Sequence, residues 1–147
     1  MKLKIGWIGK TKDAAIRALT DDYLKRIGRY TEVDGVALTD EAALLKFREK
    51  TGTRPAHMIV LMDALGKQLS SVEFAQFLQN HADGNPQPLI LAIGPADGFS
   101  LETRKAAAMI ISMGRMTLAH ELARIVLLEQ VYRAFTILKG HPYHTGH

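Results

Sequence analysis

The chain has 147 residues, of which 47% are hydrophobic and 23% charged, proportions that are typical of one globular domain and exclude a disordered chain. The 19 basic side chains exceed the 15 acidic ones and give a formal net charge of +4, which is compatible with a nucleic-acid partner but does not require one. The sequence has no cysteine, which excludes disulfides and thiolate chemistry, and it shows neither a membrane-spanning run nor a signal-peptide pattern, so we expect a cytoplasmic protein without a membrane partner.

The first half of the chain alternates between strand and helix patterns. Polar and apolar residues alternate from Lys2 and become apolar by Ile8, which predicts a strand. Asp13 can cap a helix that extends to about Arg29, because apolar residues recur there at helical spacing. The other predicted elements of this half are a strand over Val33–Leu38 and a helix capped by Thr39 or Asp40.

The second half continues the alternation. The continuous apolar run His57–Met62 predicts a strand covered on both faces, and Asp63–Leu69 is expected to be a loop. Ser70 and Glu73 have the spacing of a capping box, which predicts the start of a helix. The remaining predicted elements are a strand over Leu89–Ile93, a helix over Leu101–Ile111 capped by Ser100, a short strand over Met116–Leu118 and a last helix over His120–Leu138.

Strands that alternate with helices predict an α/β fold with a mostly parallel sheet flanked by helices. No linker rich in proline, glycine or serine divides the chain, so residues 1–147 are expected to form one domain. Ligands of such sheets bind beyond the carboxyl ends of the strands. The loops after Met62, Ile93 and Leu118 are therefore the expected site.

Two loops match binding motifs only in part. Gly9-Lys10-Thr11 ends like a phosphate-binding loop but lacks the glycine that the motif requires upstream, so an ATP or GTP site is not favoured. The loop from Gly94 to Gly98 follows a buried strand, where glycine lets the backbone approach a ligand closely. Taken alone, however, that loop is more typical of a tight connection between a strand and a helix.

The C-terminal tail carries three histidines at metal-ligand spacing. His141, His144 and His147 lie in a segment with proline and glycine, without a second shell to orient them, so we predict no metal site. A tail that docks over a pocket and contributes Tyr143 and His144 is favoured.

The last predicted helix is apolar in nearly every direction around its axis but carries isolated charges. Such a helix is buried in a core or in a subunit interface. Glu129 and Arg133 are four residues apart and can pair on one face. Since a buried arginine needs a partner, Arg133 has either this structural pairing or a bound anion, and the residues alone leave both interpretations open.

Five sequence blocks, read together, resemble the RlmH-type methyltransferases of the SPOUT class over essentially the whole chain. They are Leu61–Asp63, Ile93–Ser100, Met116–His120, Arg124–Ala134 and His141–His144. The resemblance implies a C-terminal trefoil knot that binds S-adenosylmethionine, and a homodimer packed through the knot. It further implies methylation of N3 of a pseudouridine in large-subunit (23S) ribosomal RNA, with the assembled ribosome as the expected substrate.

The resemblance also implies the residues of the site. The implied cofactor residues are Met62, Gly94, Gly114, Arg115, Met116, Thr117, Leu118 and Ala119. The implied catalytic residues are Glu129, Arg133, Tyr143 and His144. Many relatives have Gly-Gly-Pro-Glu-Gly where this chain has Gly94-Pro95-Ala96-Asp97-Gly98, and Pro95 removes one backbone donor there.

Each implied catalytic residue has a chemical role that suits methylation of a base nitrogen. Arg133 can stabilise developing negative charge or hold a phosphate, and His144 can assist removal of the proton. Tyr143 can stack on the target base. Glu129 has the simplest role, which is to orient Arg133.

Two other functions compete with this one. A basic α/β module could bind RNA without catalysis, and a metabolic enzyme could use another nucleotide. Binding of S-adenosylmethionine and S-adenosylhomocysteine, without binding of ATP, distinguishes the methyltransferase from both.

Overall fold

The computed structural model describes residues 1–144, and of His144 it describes the backbone alone. The strands are β1 (Lys2–Ile8), β2 (Glu32–Leu38), β3 (Met58–Gln68), β4 (Leu89–Ile93) and β5 (Met109–Ser112). The α-helices are α1 (Ala14–Ile27), α2 (Glu41–Leu45), α3 (Ser71–Gly84), α4 (Leu101–Ala106) and α5 (His120–Leu138). Single 3-10 turns follow at Lys46–Arg48 and Pro142–His144.

The strands form one sheet in the order β2-β1-β4-β3-β5, and every neighbouring pair is parallel. The α/β fold class is therefore confirmed. All five residues of β4 are buried, as a central strand covered on both faces requires. Because the strands are parallel, their carboxyl ends meet at one edge of the sheet.

The helices form a layer on each face of the sheet. On one face α1, α3 and α5 pack against a cluster that includes Leu3, Leu91 and Leu128. On the other face α2 packs around Leu44 and Ile90, and Phe99 joins this cluster just before α4. Within residues 1–144, no helix is long and apolar enough to cross a membrane.

The helix starts predicted from capping residues are confirmed. Asp13 accepts hydrogen bonds from the N–H groups of Ala15 and Ile16. Ser70 and Glu73 form the reciprocal capping box. Asp40 and Ser100 cap α2 and α4. These starts could be predicted because the capping oxygen and its N–H partners are only two or three residues apart.

Three predicted elements are wrong, and all lie where pairing between distant segments decides the structure. The helix from Leu101 ends at Ala106, and Met109–Ser112 forms β5, because its β-branched isoleucines pair with β3. Met116–Leu118 is consequently a loop rather than the fifth strand. Strand β3 continues past Met62 to Gln68 instead of ending, with an irregular pairing between Met62 and Lys67. The trefoil knot stays a prediction.

Gly66 is a position where β3 and β5 leave no room for a side chain. A Cβ built on Gly66 lies 2.6 Å from the backbone carbon and oxygen of Ile110. We expect Gly66→Ala to displace β5 and to lower the free energy of unfolding by about 1–3 kcal/mol. Urea titration at one fixed protein concentration measures this.

Gly84→Ala is the matched control, because nothing lies within 4 Å of a Cβ there and the residue ends α3. Alanine should stabilise that helix by about 0.4–1 kcal/mol. Equal effects of the two substitutions would contradict the close approach of β3 and β5.

Candidate functional site

A cavity of about 320 Å³ lies at the carboxyl edge of the sheet. Its walls come from Met62–Ala64 within β3, the end of β4, the loop after β4, the segment after β5 and the first turn of α5. These include the loop that the sequence indicated after Ile93 and, where a loop was expected after Met62, the irregular part of β3. The site therefore lies where a parallel sheet is expected to bind its ligand.

Most of the residues implied for cofactor binding share this cavity. The lining includes Met62, Gly94, Gly114, Met116, Thr117 and Leu118. Arg115 lies within the lining segment without being a lining residue itself, and Ala119 occupies the N-cap of α5. The lining also includes Asp63, Asp97, Met113 and His120, which were not selected from the sequence. Asp63, Asp97 and His120 could have been found, because each lies in one of the sequence blocks that carry the family resemblance, whereas Met113 lies outside them.

The loop after β4 is shaped by two glycines. A Cβ on Gly94 would lie 2.9 Å from the buried ring of Phe99, so the backbone can pass here only as glycine. Gly98 has a φ of 86° and donates its N–H to the carbonyl of Pro95 at 2.9 Å, closing a tight turn. Pro95 thus takes part in the turn through its carbonyl oxygen, the one backbone hydrogen-bonding group that it has.

Two local contacts fix the other walls. His120 Nδ1 lies 2.9 Å from the carbonyl oxygen of Gly94, which ties the start of α5 to the loop after β4. The hydroxyl of Ser112 donates to the carbonyl of Gly114 and accepts from its N–H, at 2.9 and 3.1 Å. Gly114 has a φ of 133°. Backbone groups of these segments therefore lie around a partly apolar cavity.

The charges on the cavity favour a ligand with a positive group. Asp63 and Asp97 place two carboxylates among the lining residues, and Asp63 Oδ1 also accepts the N–H of Leu65 at 2.9 Å. Within residues 1–144, no three acidic or histidine side chains are grouped to hold a metal ion. An uncharged ring system with a cationic substituent suits both the apolar wall and the carboxylates.

A second polar group lies near the C-terminal end of α5. Arg133 Nε is 2.8 Å from Glu129 Oε1, and this hydrogen bond raises the pKa of the guanidinium. Arg133 also lies over the ring of Tyr143 at 5.2 Å, and Tyr143 packs edge-on against Tyr132 at 4.8 Å. Burial, with a smaller effect of Glu129, raises the pKa of Tyr143. The predicted role of the His144 side chain lies outside the described residues.

The structure does not bring this second group to the cavity of the same chain. His120 lines the cavity and Arg133 is thirteen positions further along α5, which separates them by about 20 Å along the helix axis. The segment Pro142–His144 packs against α5, with Tyr143 beside Tyr132 at the far end from the cavity. Tyr143 therefore lies away from the cavity of its own chain, whereas the sequence predicted a tail that contributes Tyr143 to a pocket.

Comparison with known proteins identifies close relatives over the full length. The family described as "Predicted SPOUT methyltransferase" matches residues 1–144. "Ribosomal RNA large subunit methyltransferase H" of Koribacter versatilis is 56% identical over 147 residues, covering 100% of both chains. The protein of the same name from Geotalea daltonii is 45% identical over 152 residues, covering 98% of this chain and 99% of its own.

Solved structures share the fold at low sequence identity. A methyltransferase from Legionella pneumophila, solved with bound SAM, is 15% identical with a TM-score of 0.50, covering 91% of this chain and 66% of its own. A methylase family protein from Haemophilus influenzae is 10% identical with a TM-score of 0.59, covering 96% of this chain and 69% of its own. This chain spans about two thirds of the length of either structure.

The pairing of Glu129 with Arg133 can be separated from any role in binding by a double-mutant cycle. Their side chains are only 21% and 19% exposed, so removing both partners should reveal a coupling energy of about 1 kcal/mol in the free energy of unfolding. Chemical denaturation of Glu129→Gln, Arg133→Gln and the double variant gives this value.

The pair Asp22–Arg26 on α1 is the matched control, with the same spacing but side chains 48% and 42% exposed. Its coupling energy should be about 0.3–0.5 kcal/mol. A Glu129–Arg133 coupling no larger than this would mean that the pair does little for stability.

Proposed function

We propose, because the chain belongs to the SPOUT methyltransferase family, that it transfers a methyl group from S-adenosylmethionine to N3 of a pseudouridine in large-subunit ribosomal RNA. The observation that carries the proposal is the cavity at the carboxyl edge of the sheet. It is formed by the segments that the family resemblance assigns to the cofactor. The relatives named ribosomal RNA large subunit methyltransferase H, which align over their full length, support the RNA substrate.

The cavity suits S-adenosylmethionine in size, shape and charge. At about 320 Å³, it lies in the range of small-molecule sites. Gly94 and Gly114 let the backbone approach an adenine ring, and Met62 and Leu118 supply apolar surface. The carboxylates of Asp63 and Asp97 attract the cofactor's positive groups. The cofactor supplies a methyl group already activated by its sulfonium, so this chain need not activate the methyl donor and contributes at the cavity by positioning it.

The polar residues near the end of α5 supply the groups that methylation of the base requires. Methylation at N3 needs loss of the N3 proton, and the guanidinium of Arg133 can stabilise the resulting negative charge. Glu129 holds that guanidinium in one orientation. Because its pKa is raised, Tyr143 keeps its proton at neutral pH and serves as a stacking surface rather than as a base. The proton acceptor in this proposal is His144.

The separation along α5 supports an active site that is built by two chains. The cavity and Arg133 lie about 20 Å apart along the helix, too far to meet across one methyl transfer. Apolar side chains also stand exposed near the cavity, including Met116 at 87% and Leu122 at 52%. In a homodimer, these residues are covered and the partner brings its own Arg133 and Tyr143 to the cavity.

We expect the RNA to be recognised largely by shape and charge, since the described residues form one α/β unit around a single sheet. We therefore expect the assembled ribosomal particle to be the substrate, which locates the protein in the cytoplasm. A non-catalytic RNA-binding module is the second candidate on net charge alone, but it gives no reason for the cavity.

The decisive experiment measures methylation and cofactor binding together. Ribosomal RNA from cells with and without this protein should differ by one methyl group on a pseudouridine in mass spectrometry. Calorimetry should show binding of S-adenosylmethionine and S-adenosylhomocysteine but not of ATP. A protein that binds RNA but leaves the RNA mass unchanged would be the non-catalytic module.

Mixed dimers test the composite site. Arg133→Ala should abolish methyl transfer while leaving cofactor binding intact. Leu118→Arg should block the cavity, as calorimetry can verify, while leaving Arg133 in place. Refolding the two inactive variants together should restore about a quarter of the wild-type activity, because random pairing gives heterodimers with one complete site. No recovery despite heterodimer formation would place cavity and arginine of one chain in the same site.

A further inference from the structure

Arg124 is a buried charge whose function is not explained by the methyltransferase site. Its side chain is 0% exposed and lies against the face of Trp7, with the guanidinium carbon 4.0 Å from the ring centroid. Nη1 donates to Thr11 Oγ1 at 2.7 Å. No ion pair among residues 1–144 includes Arg124. Burial lowers the pKa of the guanidinium, and Glu121 partly offsets this.

Several buried polar atoms near Arg124 have no hydrogen-bond partner among the described residues. Nε and Nη2 of Arg124 are both buried without a partner, as are Trp7 Nε1 and His120 Nε2. These groups are neighbours, because His120 is one turn before Arg124 on α5 and its Nε2 faces Gly9 at the end of β1. A buried positive charge whose own N–H groups and that of the neighbouring Trp7 are unpaired is costly unless an anion pairs with it.

The cover over this cluster is the loop from Gly9 to Asp13, which connects β1 to α1. It is held mainly by side chains: Glu121 Oε1 accepts the N–H of Lys12 at 2.8 Å, and Arg17 donates to the carbonyl of Thr11 at 3.2 Å. Such a loop can be displaced without breaking the sheet. Lys10 and Lys12 on the loop are exposed, which gives it the charge expected of a surface that meets phosphates.

The cluster borders the cavity without belonging to it. His120 lines the cavity and Arg124 does not. An anion at Arg124 would therefore lie beside the cofactor, on the side of the loop with the lysines. This position favours a phosphate of the RNA over a carboxylate of the cofactor.

We propose that Arg124 and the loop from Gly9 to Asp13 form a binding site for a backbone phosphate of the RNA substrate, in which Nε and Nη2 of Arg124 donate to the phosphate oxygens. This inference rests on the proposed function, because it takes RNA as the substrate. In this site, Lys10 and Lys12 form the outer part of the same contact, where solvent screens their charges. The nucleotide bound here is one near the methylated base.

The test compares Arg124→Met with a control of equal charge change. Methionine keeps an apolar side chain against Trp7 but removes the donors. Arg48→Met removes an exposed charge from the turn Lys46–Arg48, which adjoins the amino end of β3, away from the cavity. Inorganic phosphate should raise the melting temperature of the wild type and Arg48→Met, and not that of Arg124→Met.

RNA binding supplies the second measurement. Arg124→Met should weaken binding to the ribosomal RNA fragment about tenfold, and the slope of log affinity against log salt should fall by about one. Its affinity for S-adenosylhomocysteine should equal that of the wild type. A selective loss of S-adenosylhomocysteine binding, with 5′-methylthioadenosine unaffected, would overturn the proposal in favour of the cofactor carboxylate.

An additional measurement on the wild type keeps the proposal testable if Arg124→Met does not fold. The Nε–H resonance of Arg124 should shift when inorganic phosphate is added. No shift, or phosphate stabilisation that persists in Arg124→Met, would overturn the site. Failure of the proposed function is distinguishable, because the wild type would then leave ribosomal RNA unmethylated whatever its response to phosphate.

Discussion

Burial of α5 against the sheet is the interaction on which both parts of the site depend. Leu127, Leu128, Val131 and Ala134 are fully buried, and each leucine contributes about 1.5–3 kcal/mol when removed from water. These contacts fix the axis of the helix. Its first turn consequently closes the cavity through His120, and its last turns orient Arg133.

The same helix carries two arginines in contrasting environments. Arg133 is partly exposed and has a carboxylate one turn away, so its charge is compensated within the chain. Arg124 has an aromatic face and one hydroxyl but no carboxylate within 4 Å among the described residues. Arg133 therefore suits a role that needs a fixed orientation, whereas Arg124 suits the binding of an anion from outside the chain.

The sequence allowed the prediction of those features that depend on neighbouring residues. The caps Asp13 and Ser70 act within three positions, and the bounds of α5 were predicted correctly. Strand β5 was missed because Ala106-Ala107-Ala108 has high helix propensity, and only its pairing with β3 makes Met109–Ser112 extended. Pairing of distant segments leaves no periodic signal in a short run.

For the candidate site, the location of the cavity could be predicted from the sequence, but the distances between its parts could not. Parallel strands place Met62 and Ile93 side by side, so the cavity could be located although β3 continues past Met62. The distance between the cavity and Arg133 could not be predicted, because it depends on where α5 and Tyr143 pack. The unpaired polar atoms of Trp7 and His120 could not be predicted either, since hydrogen-bond satisfaction is a property of the fold.

The glycines around the cavity have a consequence for how this gene can vary. The walls include Gly94, which is restricted by Phe99, and Gly98 and Gly114, which have positive φ. Selection on such a pocket acts on chain shape as well as on side chains, so these glycines are constrained. Descendants of this enzyme could therefore diverge widely in their side chains and still accept the same nucleoside.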